Sequence, residues 1–306
     1  MGKKALILGF GVSGKAAAAF LIREGYVVIA IDKKAEAIRP NVAELLEKGV
    51  ELVAESIDVS LEGALFLVAS PGIEPSHPLL QRARREGLEV VSEVELAFRY
   101  LKNVCVGVTG SNGKTTATLL ATHVLNSCKI KARALGNVGS ALSGYLAQVD
   151  PDEILIVELS SFQLESLESR RLKMALILNI TPNHLDRHPS MEAYADAKIR
   201  IQTCLVEGGK LLVGDGTARE YSGKIGPHEV FDERDAFAAP LQIAKAFGVS
   251  ESDFYLHAKT FKKPPHRLEW VAEIDKVAYY NDSKATSVAA VLFAVSQLKG
   301  PIILIA

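Results

Sequence analysis

The sequence is poor in whatever would tie it to a membrane, an oxidising compartment or a polyanion. It has only 3 cysteines in 306 residues, and Cys105, Cys128 and Cys204 lie far apart in apolar surroundings. An odd, scattered set fits a reducing cytoplasm and not a disulfide framework. Excess charge is missing too: 35 Lys and Arg against 36 Asp and Glu leave a net charge of −1. That balance argues against nucleic-acid or anionic-membrane partners, because no surplus of cations is left to neutralise phosphates. No apolar run approaches the roughly 20 residues of a membrane span. Lys3-Lys4 followed by Ala5-Leu6-Ile7-Leu8 opens like a signal peptide, but Gly9, Gly11 and Lys15 break the stretch early. Met1-Gly2 is no myristoylation signal, since position 6 is Leu6. Repeats and low-complexity linkers are absent. What is present, 48% hydrophobic and 23% charged residues, is the composition of a soluble globular protein with core enough for two or three domains.

The chain is organised around Gly110-Ser111-Asn112-Gly113-Lys114-Thr115-Thr116, which follows apolar residues 104–108 and precedes a helix-like segment at 117–125. Strand, glycine-rich turn, lysine, hydroxyl and helix are the parts of a phosphate cradle. Its backbone N–H groups and helix dipole both attract an anion. Lys114 supplies a point charge for the β- and γ-phosphates, and Thr115 an oxygen for Mg²⁺. The spacing departs from G-x-x-x-x-G-K: Val108 stands where a glycine is expected, and Gly107 comes one position early. The pattern predicts a nucleoside triphosphate site.

Upstream, residues 4–8 read as a buried strand leading into Gly9-Phe10-Gly11-Val12-Ser13-Gly14. An alanine-rich helix over 15–24 and a strand over 26–31 ending at Asp32 complete a dinucleotide fingerprint in its required context. Alone it favours NAD, with Asp32 on the ribose hydroxyls, but its glycines serve any diphosphate, and a UDP-sugar carries one. Strands at 50–53, 64–68 and 88–91 continue the alternation, with Ser70-Pro71-Gly72-Ile73 and a helix from Pro78 between them. Arg82, Arg84 and Arg85 read as a solvated helix face.

Downstream, Gly136-Asn137-Val138-Gly139 is a tight turn, and a strand over 153–158 runs into Leu159-Ser160-Ser161-Phe162-Gln163-Leu164. Glu158 ends that strand, where a carboxylate near a phosphate loop can reach Mg²⁺. A buried strand over 174–180 precedes Thr181-Pro182-Asn183-His184-Leu185-Asp186-Arg187-His188-Pro189. The two prolines argue against a helix that presents His184 and His188 together to zinc. A helix over 191–205 carries Lys198, on its own an exposed helical lysine. After Pro264-Pro265-His266-Arg267-Leu268-Glu269 come a strand over 277–280, Asn281-Asp282-Ser283-Lys284-Ala285-Thr286, a helix over 288–298 and an apolar run over 301–306.

These motifs, in order over nearly the whole chain, resemble the Mur ligases, relatives of folylpolyglutamate synthase, and most of all their D-glutamate-adding branch. The resemblance implies an α/β fold of three units. These are a Rossmann-like N-terminal domain at 1–92 for the UDP-substrate, a central P-loop-type ATPase domain with a mainly parallel sheet at 93–263, and an incomplete, Rossmann-like C-terminal domain at 264–306. It implies a cytoplasmic, monomeric ATP-dependent amide ligase of peptidoglycan synthesis that adds D-glutamate to UDP-N-acetylmuramoyl-L-alanine through an acyl phosphate, with ATP and Mg²⁺. Carried over residue by residue, Gly11, Val12, Ser13, Asp32, Lys33 and Gly72 contact the UDP-substrate, and Asn137 and Gln163 its muramoyl-alanine end. Gly110, Ser111, Asn112, Gly113, Lys114, Thr115, Thr116, Arg267 and Asp282 bind ATP. Thr115, Glu158, His184 and a carbamylated Lys198 hold Mg²⁺, since carbamylation turns a cation into an oxygen-bearing anion. Lys114, His184, Lys198 and Lys284 are the catalytic residues, with Thr286 beside Lys284 at the acyl phosphate. The family's His-Asn adenine pair is missing from the region Glu233-Arg234-Asp235-Ala236-Phe237-Ala238-Ala239. The apolar ending predicts a chain cut within its third unit, able to bind substrate but not to form the amide. A non-catalytic nucleotide-binding protein and an NAD-dependent dehydrogenase are the alternatives.

Overall fold

Strands that are buried on both faces read as short apolar runs, and such runs form the centre of both large sheets of the computed structural model, which describes residues 2–184, 187–285 and 288–305. The first sheet is wholly parallel, in the order β3-β2-β1-β4-β5. Its strands are β1 (Lys4–Leu8), β2 (Val27–Asp32), β3 (Glu51–Ala54), β4 (Ala64–Ala69) and β5 (Glu89–Ser92). Alternate residues divide between two cores, because successive strand side chains point to opposite faces. Ala5, Ile7, Val28 and Ala30 meet Ala17, Ala18 and Leu21 of the helix Val12–Arg23. Leu6, Leu8, Ile31 and Leu67 meet Leu79, Leu80 and Ala83 of the helix Pro78–Arg85.

The second sheet has six parallel strands in the order β11-β10-β9-β6-β8-β7. They are β6 (Cys105–Thr109), β7 (Ala132–Gly136), β8 (Ile154–Glu158), β9 (Leu172–Ile177), β10 (Leu205–Gly214) and β11 (Glu229–Phe231). On one face Val106, Val108, Ile156 and Leu176 pack under Leu120, Ala121 and Val124 of the helix Lys114–Ser127. On the other, Leu155, Val157, Ala175 and Ile177 join the core that continues into the first sheet's helices. Gly107 belongs to that second face: a Cβ there would lie 2.6 Å from Leu172 Cδ1, so packing and not phosphate binding explains this glycine.

Helix Glu93–Tyr100 and helix Leu142–Tyr145 sit between the two sheets against Val12–Arg23. Buried Glu93 accepts the Ser143 N–H there, and the Arg23 guanidinium donates to the Leu146 carbonyl. Several boundaries differ from expectation: the strand expected over 174–180 ends at Ile177, and the helix expected over 15–24 begins at Val12. The helix from Met191 ends at Ile199, and residues Arg200–Cys204 tighten into a 3₁₀ turn before β10 begins. The C-terminal unit opens with an antiparallel hairpin, β12 (Glu269–Ile274) and β13 (Val277–Asn281), whose turn residues Asp275 and Lys276 have φ of +51° and +66°. Positive φ at both central positions suits the right-handed strand twist of a two-residue hairpin. Helix Val288–Ser296 follows, and residues 301–305 form no strand. Among the described residues no helix is long and apolar enough to cross a membrane.

Candidate active site

Strand β6 ends at Thr109 in the middle of its sheet, and the chain turns through residues 110–113 into the helix Lys114–Ser127. Glycine is required at both ends of this turn. Gly110 has φ +154° and would press a Cβ to 2.9 Å from that of Leu178, and Gly113, the helix N-cap, has φ +80°. The loop is fastened to the chain beyond β9. Ser111 N–H donates to the Asn179 carbonyl (2.8 Å), Asn112 N–H to Asn179 Oδ1 (2.8 Å), and Asn179 Nδ2 to the Asn112 carbonyl (3.2 Å). Ser111 Oγ bonds the Thr181 carbonyl and N–H, each at 2.9 Å, and the Tyr194 hydroxyl at 3.0 Å. Ser111 and Asn112 thus shape the loop. The helix has no side-chain cap, which leaves the first-turn N–H groups of Lys114, Thr115 and Thr116 as donors for an anion.

Two ammonium groups converge on the Gly110 carbonyl, Lys114 Nζ at 2.7 Å and Lys198 Nζ at 2.8 Å. Lys198 is buried, not exposed as an isolated helical lysine would be, and lies 4.6 Å from the centroid of the Tyr194 ring. Glu158, at the end of β8, is buried as well; its Oε1 accepts from Asn137 Nδ2 (2.9 Å), and its Oε2 has no hydrogen-bond partner. Burial pushes Lys198 well below the ordinary lysine value, Lys114 adds to the effect, and Glu158 opposes it. Lys114 is lowered too, by burial first; Glu158 opposes that shift and Arg267 reinforces it. An orphaned carboxylate oxygen at the phosphate cradle fits a hard divalent cation, which takes oxygen ligands.

The two histidines part company. His184 is exposed at φ +53°, its ring edge-on to Phe162 at 5.2 Å, whereas buried His188 bonds Ser161 Oγ at 3.0 Å and stacks on Phe162. Leu185 and Asp186 of that motif lie outside the described residues, as does Thr286. Gln163 is buried with Oε1 in a capping box to the Ser160 N–H and hydroxyl. From the C-terminal unit Arg267 reaches the cradle, donating to Thr115 Oγ1 at 2.8 Å. Asp282 Oδ1 accepts the Leu268 N–H (2.8 Å), while Lys284 is exposed. In place of an adenine motif, Glu233 Oε2 accepts from Thr217 N–H and Oγ1, and Asp235 Oδ1 accepts the Phe237 N–H.

At the first sheet, β1 enters a second glycine turn. A Cβ at Gly14 would fall 2.1 Å from the Gly9 carbonyl oxygen, and one at Gly9, with φ +85°, 2.9 Å from Ser70 Cβ. These two glycines serve close packing. Gly11 and Gly72 differ, for a Cβ at either would meet nothing within 4 Å. Val12 and Lys33 are exposed and Ser13 partly so. Asp32 spends both carboxylate oxygens on backbone, Oδ2 on Phe10 N–H (2.7 Å) and Oδ1 on Lys34 N–H (2.8 Å). Sequence reading missed that role, as it missed the Asn179 clamp, because each joins residues distant in the chain.

Two family profiles match, the Mur ligase middle domain over residues 108–232 and the Mur ligase MurD-like N-terminal domain over residues 3–92. A curated protein of Protochlamydia amoebophila, named UDP-N-acetylmuramoylalanine--D-glutamate ligase, is 38% identical over 342 residues, covering 100% of this chain and 77% of its own. One of the same name from Chlamydia pneumoniae is 36% identical, with 95% and 73% covered. The chain belongs to the Mur ligase family. Solved structures of the family share its fold: a murein peptide ligase of Psychrobacter arcticus (TM-score 0.60, 14% identity, 97% of this chain and 76% of that one) and the MurF ligase of Thermotoga maritima in complex with ADP (0.57, 15%, 88% and 71%). This Mur ligase therefore carries two glycine turns, each at the C-terminal end of a parallel sheet, where α/β folds bind their ligands.

Proposed function

We propose that this Mur ligase uses ATP to join the carboxylate of UDP-N-acetylmuramoyl-L-alanine to the amine of D-glutamate, in the cytoplasm and as a monomer. Residues 1–92 are its UDP-substrate domain, 93–263 its ATP domain and 264–306 the beginning of its C-terminal domain. The cluster of half-buried Lys114 with buried Lys198 and Glu158 against the phosphate loop carries this reading, since hydride transfer has no use for it. A carboxylate oxygen of the substrate attacks the γ-phosphorus, ADP leaves, and an acyl phosphate forms. The glutamate nitrogen then adds to the acyl carbon, phosphate departs with the C–O bond, and the nitrogen loses a proton to leave the amide.

Most of the catalysis in such a reaction is positioning and charge stabilisation. The N–H groups at residues 113–116 hold the triphosphate, and Lys114 swings from the Gly110 carbonyl to the transferring phosphoryl group. Arg267 and Asp282 take up ribose and phosphate, and Lys284 attends the acyl phosphate. Gly11, Val12, Ser13, Lys33 and Gly72 face the UDP moiety; Asp32 contributes by holding their loop. Asn137 and the amide nitrogen of Gln163 address the muramoyl-alanine end. Thr115, Glu158, His184 and Lys198, the last as its carbamate, would hold Mg²⁺, which neutralises phosphate charge. The lowered pKa of Lys198 favours the free amine, the form that adds to CO₂.

A thermal-shift series tests this function. UDP-N-acetylmuramoyl-L-alanine at a hundred times its Kd should stabilise the fold by about 2.7 kcal/mol. Stabilisation by saturating NADH with none from the UDP-substrate would overturn the assignment.

A further inference from the structure

Arg187 ties the segment that follows His184 to the first sheet. Arg187 Nη2 donates to the Ile73 carbonyl at 3.1 Å, in the loop that follows β4. Ile73 N–H in turn bonds the Ser70 carbonyl (3.0 Å), and Ser70 Oγ bonds the Gly9 carbonyl at 2.7 Å, the back of the first glycine turn. On its other side the Arg187 guanidinium carbon lies 4.6 Å from the Phe162 ring centroid. Phe162 belongs to the helix Ser161–Leu164, which begins just after Glu158, and His188 stacks on it at 5.3 Å with the rings 10° from parallel. The Arg187 and His188 N–H groups both bond the His184 carbonyl, at 3.0 and 2.9 Å. One guanidinium thus joins the loop behind the first glycine turn to the two segments that carry Glu158 and His184. Arginine suits this position because its planar fork donates in the plane to a carbonyl while its face lies on an aromatic ring.

We propose that Arg187 is a positioning residue that couples the two ligand sites, so that filling the first glycine turn tightens nucleotide binding at the second. The coupling rests on the function proposed above and adds to it a residue outside the ligand contacts assigned there. A ligand that moves the 70–73 loop shifts Ile73 against Arg187, and through Phe162 and the His184 turn it biases the magnesium side of the cradle.

The test is calorimetry of the Mg²⁺ complex of a non-hydrolysable ATP analogue, with and without saturating UDP-N-acetylmuramoyl-L-alanine, on the wild type, Arg187→Ala, Arg187→Lys and Phe162→Leu. In the wild type the UDP-substrate should tighten nucleotide binding about fivefold or more, the lower end of ordinary allosteric coupling. Arg187→Ala should reduce that factor below about twofold, with each ligand alone bound within about threefold of wild type. Arg187→Lys, which keeps a cation and a donor, should recover part of the coupling, and a merely structural loss would not behave so. If Arg187→Ala fails to fold, Arg187→Lys and Phe162→Leu decide, each with a coupling factor below wild type. Wild-type coupling in the folded variants, or none in a wild type that binds both ligands, overturns the role of Arg187. A wild type that does not bind the UDP-substrate overturns the proposed function, and this inference with it.

Discussion

Lys198 carries its amine where water does not reach, 2.8 Å from a carbonyl already bonded to Lys114. Burial and the Lys114 charge lower its pKa in the folded protein below the ordinary 10.5. Between the lowered value and about 10.5 the unfolded chain therefore binds more protons than the native one, so stability rises with pH through that window. Below the folded-state value the penalty of the buried charge is present in full. Lys198→Met should accordingly flatten the pH dependence of stability as pH rises toward about 10.5. It should also raise the melting temperature at pH 7, by about 2–4 °C if roughly 1 kcal/mol is recovered. Calorimetric scans at pH 7 and 9.5 check this, and a lower melting temperature for the variant at both would show that the ammonium stabilises the fold.

At the scale of elements, the glycine turns and the interlayer helices make separate demands. A Cβ at Gly14 would sit 2.1 Å from the Gly9 carbonyl oxygen, with backbone on both sides of the clash. Gly14→Ala should therefore destabilise the fold by more than about 2 kcal/mol; a urea midpoint close to wild type would mean that the turn relaxes freely. Glu93, buried between the sheets, accepts the Ser143 N–H, and burial raises its pKa although the Ser143 hydrogen bond opposes the shift. Here the folded protein holds its proton longer, so stability is fullest below about pH 4.5 and declines as pH rises toward the raised value. Glu93→Gln retains an acceptor and removes the charge. It should melt like wild type at pH 4 and above it at pH 7.5; a wild-type melting point at pH 7.5 would mean that the carboxylate is accommodated without penalty.

Across the whole molecule, what could be read in advance was whatever local pattern dictates. Strands β1, β6 and β8 each carry a short buried apolar run and lead into glycine turns or an acid, and the glycine turns follow from that local pattern. Strand β7 escaped notice because it is short and carries exposed Arg133, and β10 because the polar run Glu207-Gly208-Gly209-Lys210 interrupts it. The strand expected over 277–280 is β13, but its pairing with β12 went unseen for want of glycine or asparagine at the turn, where Asp275 and Lys276 adopt positive φ instead. In the site, the lysines and glycines of the cradles could be named. The groups that hold them could not, since Asn179 meets Asn112, Asp32 meets Phe10 and Arg187 meets Ile73 only through tertiary packing. The central claim is that one chain holds a UDP-linked substrate at the first glycine turn and ATP at the second. Titration calorimetry of the wild type, Gly11→Ala and Lys114→Ala with UDP-N-acetylmuramoyl-L-alanine and, separately, with ATP–Mg²⁺ tests it most directly. Gly11→Ala, whose added methyl has open space in the protein, should keep its fold and its ATP affinity and lose the UDP ligand. Lys114→Ala should weaken ATP about tenfold or more, as the loss of a charge-assisted contact does, and bind the UDP ligand as the wild type does. UDP-ligand binding that follows Lys114 and ignores Gly11 would contradict the claim.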